Sequence, residues 1–284
     1  NQARVKQCIV QQNEIEQLLA GTAGCDQIDA LPKAVREPIK TLFSFGYGLL
    51  SDLGIRDRQY QVIYAQNAQR VCPFCGCEFF DAPGAYREDL DHYLAKSLYP
   101  FAAANLKNLV PMGAKCNQKY KLAQDMLRDE FGIRRRAFYP YTTAGVRVTL
   151  FASDTSQVPD GCPPIWHIDF EPNSQECETW DAVFAIRARY RRDVLDQFFL
   201  EWVRAFVAWF KKRFEEASLS TDQHLIDAMS QYVEDLQMQR LSGRDFLRPM
   251  VFEMLVRHCV GGNERLLQFL RQLVIPSSIV PLET

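Results

Sequence analysis

Three cysteines crowded into six residues, Cys72, Cys75 and Cys77, constrain the fold of this chain more than any other feature of its sequence. Two residues separate Cys72 from Cys75, and a proline and a glycine lie beside them, so a tight turn can point both thiolates at one metal ion. Cys116 comes later in the chain, just before a helix-like stretch. A cysteine turn combined with a ligand at a helix start is typical of a small module that zinc holds closed.

The zinc site that this pattern predicts lacks one obvious ligand. A second cysteine pair would place the partner of Cys116 at position 113, and that residue is Gly113. Cys77 is the remaining candidate, although its closeness to Cys75 strains shared coordination. A redox-active pair, or a site that holds no metal, accounts for the same cysteines, because a single Cys-x-x-Cys motif serves several chemistries.

The cysteine count and the composition narrow the class of protein. Nine cysteines is an odd number and makes a poor disulfide framework, so we expect a cytoplasmic protein in a reducing compartment. With 47% hydrophobic and 24% charged residues, the chain is neither disordered nor fibrous. The most apolar run, 198–214, carries Glu201, Arg204 and a Lys-Lys-Arg triplet, so we expect no membrane span.

A nucleic-acid partner is compatible with the net charge of −2, because local basic patches are what bind phosphates. One such patch covers residues 115–136, and a second covers residues 187–213. Either patch alone is equally well explained as the solvated face of a helix.

We expect an α+β fold that is mostly helical and has three regions. Apolar residues at helical spacing predict a helical region over residues 1–70. Residues 71–136 hold the unusual motifs. In residues 137–284, alternating apolar residues at 145–151 and 165–170 predict an antiparallel hairpin, and long helices follow.

An Asp-His pair and two asparagines carry the candidate catalytic chemistry. Asp91 and His92 put an oxygen ligand beside a titratable base. Neighbours on a strand point to opposite faces, so both reach one phosphate only at a bend or a strand end. Asn117 lies in the first turn of a helix predicted to run to Glu130, and its amide oxygen suits Mg²⁺. Asn108 precedes it, where its amide is placed to clamp the loop that carries His92. The predicted helix would bury Tyr120, Ala123, Leu127 and Phe131.

The order of these motifs, Cys-x-x-Cys, Asp-His, Asn-Leu-Val-Pro and Cys-Asn-x-Lys, resembles the HNH endonuclease family, whose small module is also called the ββα-metal or His-metal finger. The likeness covers residues 72–121. It departs from the family pattern at Gly113, where a cysteine is usual, and at Ala95, where a proline is common. The resemblance implies a phosphodiester hydrolase that uses one catalytic metal ion and leaves 5′-phosphate ends.

The same resemblance implies a role for each motif residue. His92 is the general base, Asp91 and Asn117 hold a catalytic Mg²⁺ or Mn²⁺ ion, and Asn108 is a structural asparagine. Nearby lysines neutralise substrate phosphates, and cysteines bind a structural zinc ion. The lysines are Lys96, Lys119 and Lys121; the cysteines are Cys72, Cys75 and Cys116, with Cys77 as the candidate fourth ligand.

The flanking regions add a second resemblance. A helical lead-in, the HNH-like block, a hairpin with Tyr-Pro-Tyr and Trp-x-Ile-x-Phe, and long helices resemble the HNH subunits of Septu-type bacterial anti-phage defence systems. That resemblance implies an effector nuclease that works beside an ATPase partner subunit or as a homo-oligomer, with residues 137–284 as the interface. An aromatic stripe from Phe198 to Phe210 is either core or such a contact.

Two other functions stay open at this level. A zinc-finger-like module that binds nucleic acid without cutting it needs the cysteines and the basic residues, but it has no need of Asp91, His92 and Asn117 together. A structural partner subunit needs only residues 137–284. The combination of motifs favours a metal-dependent endonuclease, with DNA as the favoured substrate and RNA as the alternative.

Overall fold

A computed structural model of the chain describes most of its length. In the described residues the chain is mostly helical and contains two antiparallel two-stranded sheets, which confirms the predicted α+β class. It divides into two compact units, one made of residues 1–146 and 173–186 and the other of residues 147–172 and 187–284. The described residues are 2–84, 90–142, 145–214, 221–239 and 241–275.

Four helices open the first unit, as the spacing of apolar residues predicts. Apolar side chains of the first and third helices pack with Phe101, and Tyr60 of the fourth packs with Leu90 and Leu109. The N-terminal helices therefore cover the short sheet that carries His92. The elements are α1 (Gln2–Asn13), α2 (Ile15–Ala20), a 3-10 turn (Ile28–Ala30), α3 (Lys33–Asp52) and α4 (Ile55–Gln66).

The small sheet of the first unit pairs β1 (Leu90–His92) with β2 (Leu109–Pro111) in antiparallel fashion. His92 is the last residue of β1. The other two residues of β1 are buried while Asp91 is half-buried, so Asp91 faces the side opposite its neighbours. Between the strands lie 3-10 turns at Pro100–Ala102 and Leu106–Asn108, and a π-helical turn, Cys116–Lys121, follows β2.

The prediction of a helix from Asn117 to Glu130 is wrong beyond the first turn of that helix. The π-helical turn ends at Lys121, where the N–H of Leu122 donates to the carbonyl of Asn117 (3.0 Å). Leu122 adopts φ 47° and ψ −128°, a left-handed backbone through which a right-handed helix cannot continue. Turns and bends follow, and Phe131, predicted to be buried, is 80% exposed.

Helix α5 (Gln175–Phe184) belongs to the first unit and braces the cysteine turn. Trp180 donates its indole N–H to the carbonyl of Phe74 (2.7 Å), and Phe184 stacks on the ring of Phe74 with 4.8 Å between centroids. Because Phe74 lies inside the Cys-x-x-Cys motif, α5 fixes the position of that motif. Helix α6 (Ile186–Arg189) follows.

The second unit contains the predicted hairpin and the C-terminal helices. Strands β3 (Arg147–Thr149) and β4 (Asp169–Glu171) pair antiparallel with Val148 opposite Phe170, which confirms the hairpin. Across the described residues, no helix combines the length and the apolar character of a membrane span. The helical elements are 3-10 turns at Val158–Asp160 and Gly243–Leu247, a π-helical turn (Tyr190–Leu195), α7 (Asp196–Arg213), α8 (Asp222–Met238), α9 (Arg248–Val260) and α10 (Glu264–Val274).

The aromatic stripe on α7 forms much of the core of the second unit. Phe206 packs against Tyr232 of α8 (5.2 Å between centroids) and Phe252 of α9 (5.5 Å). Trp202 is 1% exposed, and its indole N–H donates to Asp245 (2.9 Å). Most of the stripe is therefore core, and it no longer favours a partner contact in this region.

Candidate functional site

The Cys-x-x-Cys motif sits on a tight turn that backbone hydrogen bonds close. The N–H of Cys72 donates to the carbonyl of Glu78 (2.7 Å), and the N–H of Gly76 donates to the carbonyl of Cys72 (2.8 Å). Gly76 has φ 66°, a conformation that glycine adopts without a steric penalty. Val71 bridges Phe79 across the turn, so the motif forms a short hairpin.

Three thiols converge in the interior of the first unit. The sulfur atoms of Cys72, Cys75 and Cys116 lie within 4.8 Å of one another, and each residue is at most 1% exposed. The N–H of Gly113 donates to the Cys72 sulfur (3.4 Å), and the N–H of Cys77 donates to the Cys75 sulfur (3.5 Å). Thiolate ligands supported in this way suit zinc, so the cluster is able to hold such an ion.

The thiols of this cluster differ in pKa because they share hydrogen bonds. Hydrogen bonds from Cys116 and Cys72 lower the pKa of Cys75 well below its ordinary value. Burial raises the pKa of Cys72. Metal binding releases thiol protons and compensates buried thiolate charge, so such a cluster favours a cation at its centre.

Cys77 lies beside this cluster and not within it. Among the described residues, the sulfur atoms that share the 4.8 Å separation belong to Cys72, Cys75 and Cys116 alone. Cys77 is half-buried, and its backbone N–H supports the Cys75 sulfur. Its position does not support the prediction that Cys77 is the fourth zinc ligand.

One hydrogen bond fixes the tautomer of His92. Its Nε2 atom lies 3.0 Å from the carbonyl oxygen of Ala103. A carbonyl only accepts, so Nε2 carries the proton and Nδ1 keeps its lone pair. The imidazole is therefore oriented as a base, with Nδ1 as the atom that accepts a proton.

Burial keeps this imidazole neutral. His92 is 6% exposed, and the ring of Tyr47 from α3 lies against it with 4.4 Å between centroids. Burial lowers the pKa of His92 to about 4, although the hydrogen bond to Ala103 opposes the shift. At neutral pH the group is in its base form. Three neighbouring cations lower the pKa further: Lys96, Lys121 and Arg56.

Asn108 clamps the loop that follows His92, as predicted. Its side-chain oxygen accepts the N–H of Leu94 (2.7 Å), and its Nδ2 donates to the carbonyls of Leu94 (3.0 Å) and Ala102 (3.2 Å). The residue is 0% exposed. One side chain thus ties the start of the loop to its far end, next to the Ala103 carbonyl that holds His92.

Asp91 pairs with a buried lysine from the π-helical turn. Nζ of Lys121 lies 3.4 Å from Oδ2 of Asp91, and Lys121 is 0% exposed. Burial lowers the pKa of Lys121, and Asp91 opposes that shift. The prediction that Lys121 binds substrate phosphates is therefore wrong, because a buried ammonium cannot reach them. The N–H of Leu122 bonds to the carbonyl of Asn117 and ends the turn, which leaves Lys121 inside the unit. The same ammonium contributes to the lowered pKa of His92, after burial and Lys96.

Asn117 lies one helical turn before Lys121 on the same segment. It is half-buried, and its N–H donates to the carbonyl of Gly113 (2.9 Å). Strand β1 thus carries Asp91 and His92, and the π-helical turn carries Asn117 together with the Lys121 that pairs with Asp91.

The basic residues near this region divide into surface and structural groups. Lys96 and Lys119 are exposed, as a phosphate contact requires. Arg134 and Arg135 instead donate to backbone carbonyls inside the unit. The basic patch over 115–136 is therefore smaller than its sequence suggests, because two of its arginines hold the loop backbone.

Two residues of this region belong to no sequence motif. Tyr47 covers the imidazole of His92, and its hydroxyl donates to the carbonyl of Leu90 (3.2 Å). Glu78 lies beside the thiol cluster, with 3.9 Å between its Oε1 and the Cys75 sulfur. The one sequence signal for Glu78 is its place directly after the cysteine turn.

Comparison of the chain with protein-family models, with curated proteins and with solved structures finds no match. Its function is therefore inferred from the residues of the site.

Proposed function

We propose that this chain is a metal-dependent endonuclease of the HNH kind, which hydrolyses nucleic-acid phosphodiesters, with DNA favoured over RNA. From the resemblance of its flanks, we propose further that it acts as the effector of a bacterial anti-phage system beside an ATPase partner. The observation that carries the nuclease proposal is the fixed tautomer of His92, a neutral imidazole that keeps a basic Nδ1.

The proposed base has the neutral state and the tautomer that water activation requires. Hydrolysis needs a group that accepts a proton as water attacks phosphorus, and general-base help is typically worth about 10²–10⁴-fold in rate. The Ala103 carbonyl holds the imidazole in place, and Asn108 holds the loop that supplies this carbonyl. His92 therefore works as the base, and Asn108 works as a positioning residue.

Asp91 and Asn117 are the residues proposed to hold a catalytic Mg²⁺ or Mn²⁺ ion. Both offer hard oxygen atoms of the type that these ions prefer. The Lys121 ammonium lies 3.4 Å from Asp91 and neutralises this carboxylate, so an ion bound at Asp91 would displace it. A bound ion would stabilise negative charge on the phosphate and on the leaving oxygen. Asp91 and Asn117 would fix its position while His92 moves the proton.

The order of the elements supports the same proposal. Two antiparallel strands, β1 and β2, are followed by a helical turn that begins at Cys116. The cysteine cluster joins that turn to the hairpin at Cys72 and Cys75. A ββα-metal finger has two antiparallel strands followed by a helix; here the strands carry Asp91 and His92, and the third element is the π-helical turn Cys116–Lys121.

The surroundings of His92 determine how a substrate approaches. Lys96 and Lys119 are exposed cations that suit backbone phosphates. Because His92 is only 6% exposed under the ring of Tyr47, a phosphodiester reaches it either by displacing that ring or from the side of Asp91.

The proposal is tested by incubating the full chain with supercoiled plasmid, linear duplex, single-stranded DNA and RNA in Mg²⁺ or Mn²⁺. We expect at least one substrate to be cut with 5′-phosphate ends, and EDTA to stop the reaction. Asp91→Ala and Asn117→Ala are expected to lose cleavage, because each removes an oxygen ligand. Glu130→Ala is the matched control, since Glu130 is an exposed acid of the same block.

Binding of the panel without cleavage under any of these conditions would contradict the proposal. That result would favour the alternative of a nucleic-acid-binding module, for which the cysteine cluster and the exposed lysines suffice.

A further inference from the structure

We propose that Glu78 is the fourth ligand of the metal ion held by Cys72, Cys75 and Cys116. Structural zinc sites are almost always four-coordinate and tetrahedral, and zinc accepts carboxylate oxygen as well as sulfur, at about 2.0–2.2 Å. The three buried thiols supply three positions. This inference concerns the cysteine cluster and does not depend on catalysis by the chain.

The carboxylate of Glu78 lies between the two chain segments that carry the thiols. Its Oε1 is 3.9 Å from the Cys75 sulfur, on the side of the hairpin. Its Oε2 accepts the N–H of Lys115 (3.1 Å), the residue before Cys116. Glu78 is therefore tied to the same turn that brings Cys116 into the cluster.

Gly113 shows that this carboxylate takes the place of a missing side chain. A Cβ atom at Gly113 would lie 2.5 Å from Oε2 of Glu78 and 2.8 Å from its Cδ. The φ of Gly113 lies outside the left-handed region, so the backbone itself would accept a side chain there. The Glu78 carboxylate, and not the backbone conformation, occupies the space that a side chain at position 113 would need, so such a side chain would displace it. We infer that position 78 supplies the ligand that a cysteine at position 113 would otherwise supply.

Cys77 is the competing fourth ligand, and its position is less suitable. Its thiol hydrogen-bonds to Cys75, and its backbone N–H donates to the same sulfur (3.5 Å), so it is placed on the hairpin side of the cluster. Glu78 is also held at Lys115, the residue before Cys116, so it reaches both segments that carry the thiols. The two assignments differ in one respect that can be measured, namely which substitution weakens metal binding.

The experiment measures zinc per chain and zinc affinity, by competition with a chromophoric chelator, for the full chain and two variants. We expect Glu78→Ala to weaken the affinity by more than about 100-fold, because a lost ligand should cost more than the 10–100-fold typical of a lost outer-shell partner, and Cys77→Ser to leave it unchanged. The reverse pattern would assign the fourth position to Cys77 and overturn the proposal. Unchanged affinity in both variants would assign it to water and also overturn the proposal.

A second pair of variants tests the exchange between positions 78 and 113. Glu78→Ala/Gly113→Cys removes the carboxylate contacts and leaves a Cβ–Cβ separation of 3.0 Å, which a backbone shift of a few tenths of an ångström relieves. We therefore expect the new thiolate to recover most of the affinity that Glu78→Ala loses. Co(II) loaded into the same site should then show a stronger thiolate charge-transfer band than Co(II) in the wild type. The matched control, Glu78→Ala/Gly113→Ala, fills the space without a ligand and should not recover affinity.

Glu78→Gln keeps the proposal testable if the alanine variant fails to fold. It preserves the side-chain shape and an oxygen for the N–H of Lys115, but it removes the anionic ligand. We expect it to fold and to bind zinc more weakly than the wild type. Wild-type affinity in this variant, or no recovery in the cysteine double variant, would overturn the assignment of Glu78.

Discussion

Replacing His92 with alanine is expected to lower the rate of phosphodiester cleavage by about 10²–10⁴-fold, the usual worth of a general base. The expectation follows from the hydrogen bond between Nε2 and the Ala103 carbonyl, which leaves Nδ1 as the atom that takes the proton. Single-turnover cleavage of whichever substrate the panel identifies is the measurement. Loss of the base should lower the rate of the chemical step and leave substrate binding nearly unchanged.

Two variants separate loss of the base from loss of structure. His92→Gln retains an N–H donor that can reach the Ala103 carbonyl but offers no basic nitrogen, so it should be as inactive as the alanine variant. His167→Ala removes a surface imidazole whose side chain is 61% exposed, and it should cleave at the wild-type rate. Cleavage by His92→Gln at the wild-type rate would contradict the assignment of His92 as the general base.

The dependence of stability on pH gives a readout of His92 that does not require activity. The unfolded chain protonates this imidazole as the pH falls below about 6.5, whereas the folded chain does so only near pH 4. Its contribution to the free energy of unfolding therefore falls by about 3 kcal/mol as the pH drops through this window, and it is constant above it. His92→Gln should lose this contribution and so show a shallower dependence on pH in denaturant titrations.

Replacing Cys116 with serine is expected to remove the structural metal and to destabilise the first unit. Zinc content should fall from about one ion per chain to nearly none, because Cys116 is the ligand that ties the π-helical turn to the hairpin. Binding free energies of structural zinc are on the order of 10 kcal/mol at neutral pH, comparable with the whole stability of a typical domain. We therefore expect early unfolding of the segment around Cys72 and Cys75, measured by hydrogen exchange, and a lower midpoint of thermal unfolding.

Cys162→Ser is the matched control for this substitution, since Cys162 is exposed and lies outside the cluster. It should retain both the zinc ion and the unfolding midpoint. Chelation of zinc from the wild type should reproduce the behaviour of Cys116→Ser, and added zinc should restore the wild type alone. A Cys116→Ser variant that keeps one zinc ion and the wild-type midpoint would contradict the metal centre.

Features that depend on local pattern follow from the sequence alone. Alternating residues identify the strands that pair Val148 with Phe170, and the placement of Asn108 after the Asp-His pair predicts its clamp on the backbone at Leu94. The spacing of Cys72, Cys75 and Cys116 predicts their convergence. In each case a short motif has only one conformation that satisfies its polar groups and buries its apolar ones.

Features that depend on contacts between distant segments do not follow from local patterns. Apolar spacing after Asn117 predicts a long helix, but the left-handed backbone of Leu122 ends it. The same short turn buries Lys121 against Asp91, which its charge and position in the sequence do not indicate. The cover that Tyr47 places on His92 depends on how α3 packs on the sheet.

The most direct test of the proposed catalytic site is to locate a divalent cation by anomalous scattering in crystals of the full chain soaked in Mn²⁺. We expect a peak bonded to the carboxylate of Asp91 and the side-chain oxygen of Asn117, with Nδ1 of His92 facing the same space and Lys121 moved from its 3.4 Å contact with Asp91. A peak held by other residues, no peak at saturating Mn²⁺, or an imidazole turned away from the ion would contradict the proposed catalytic site.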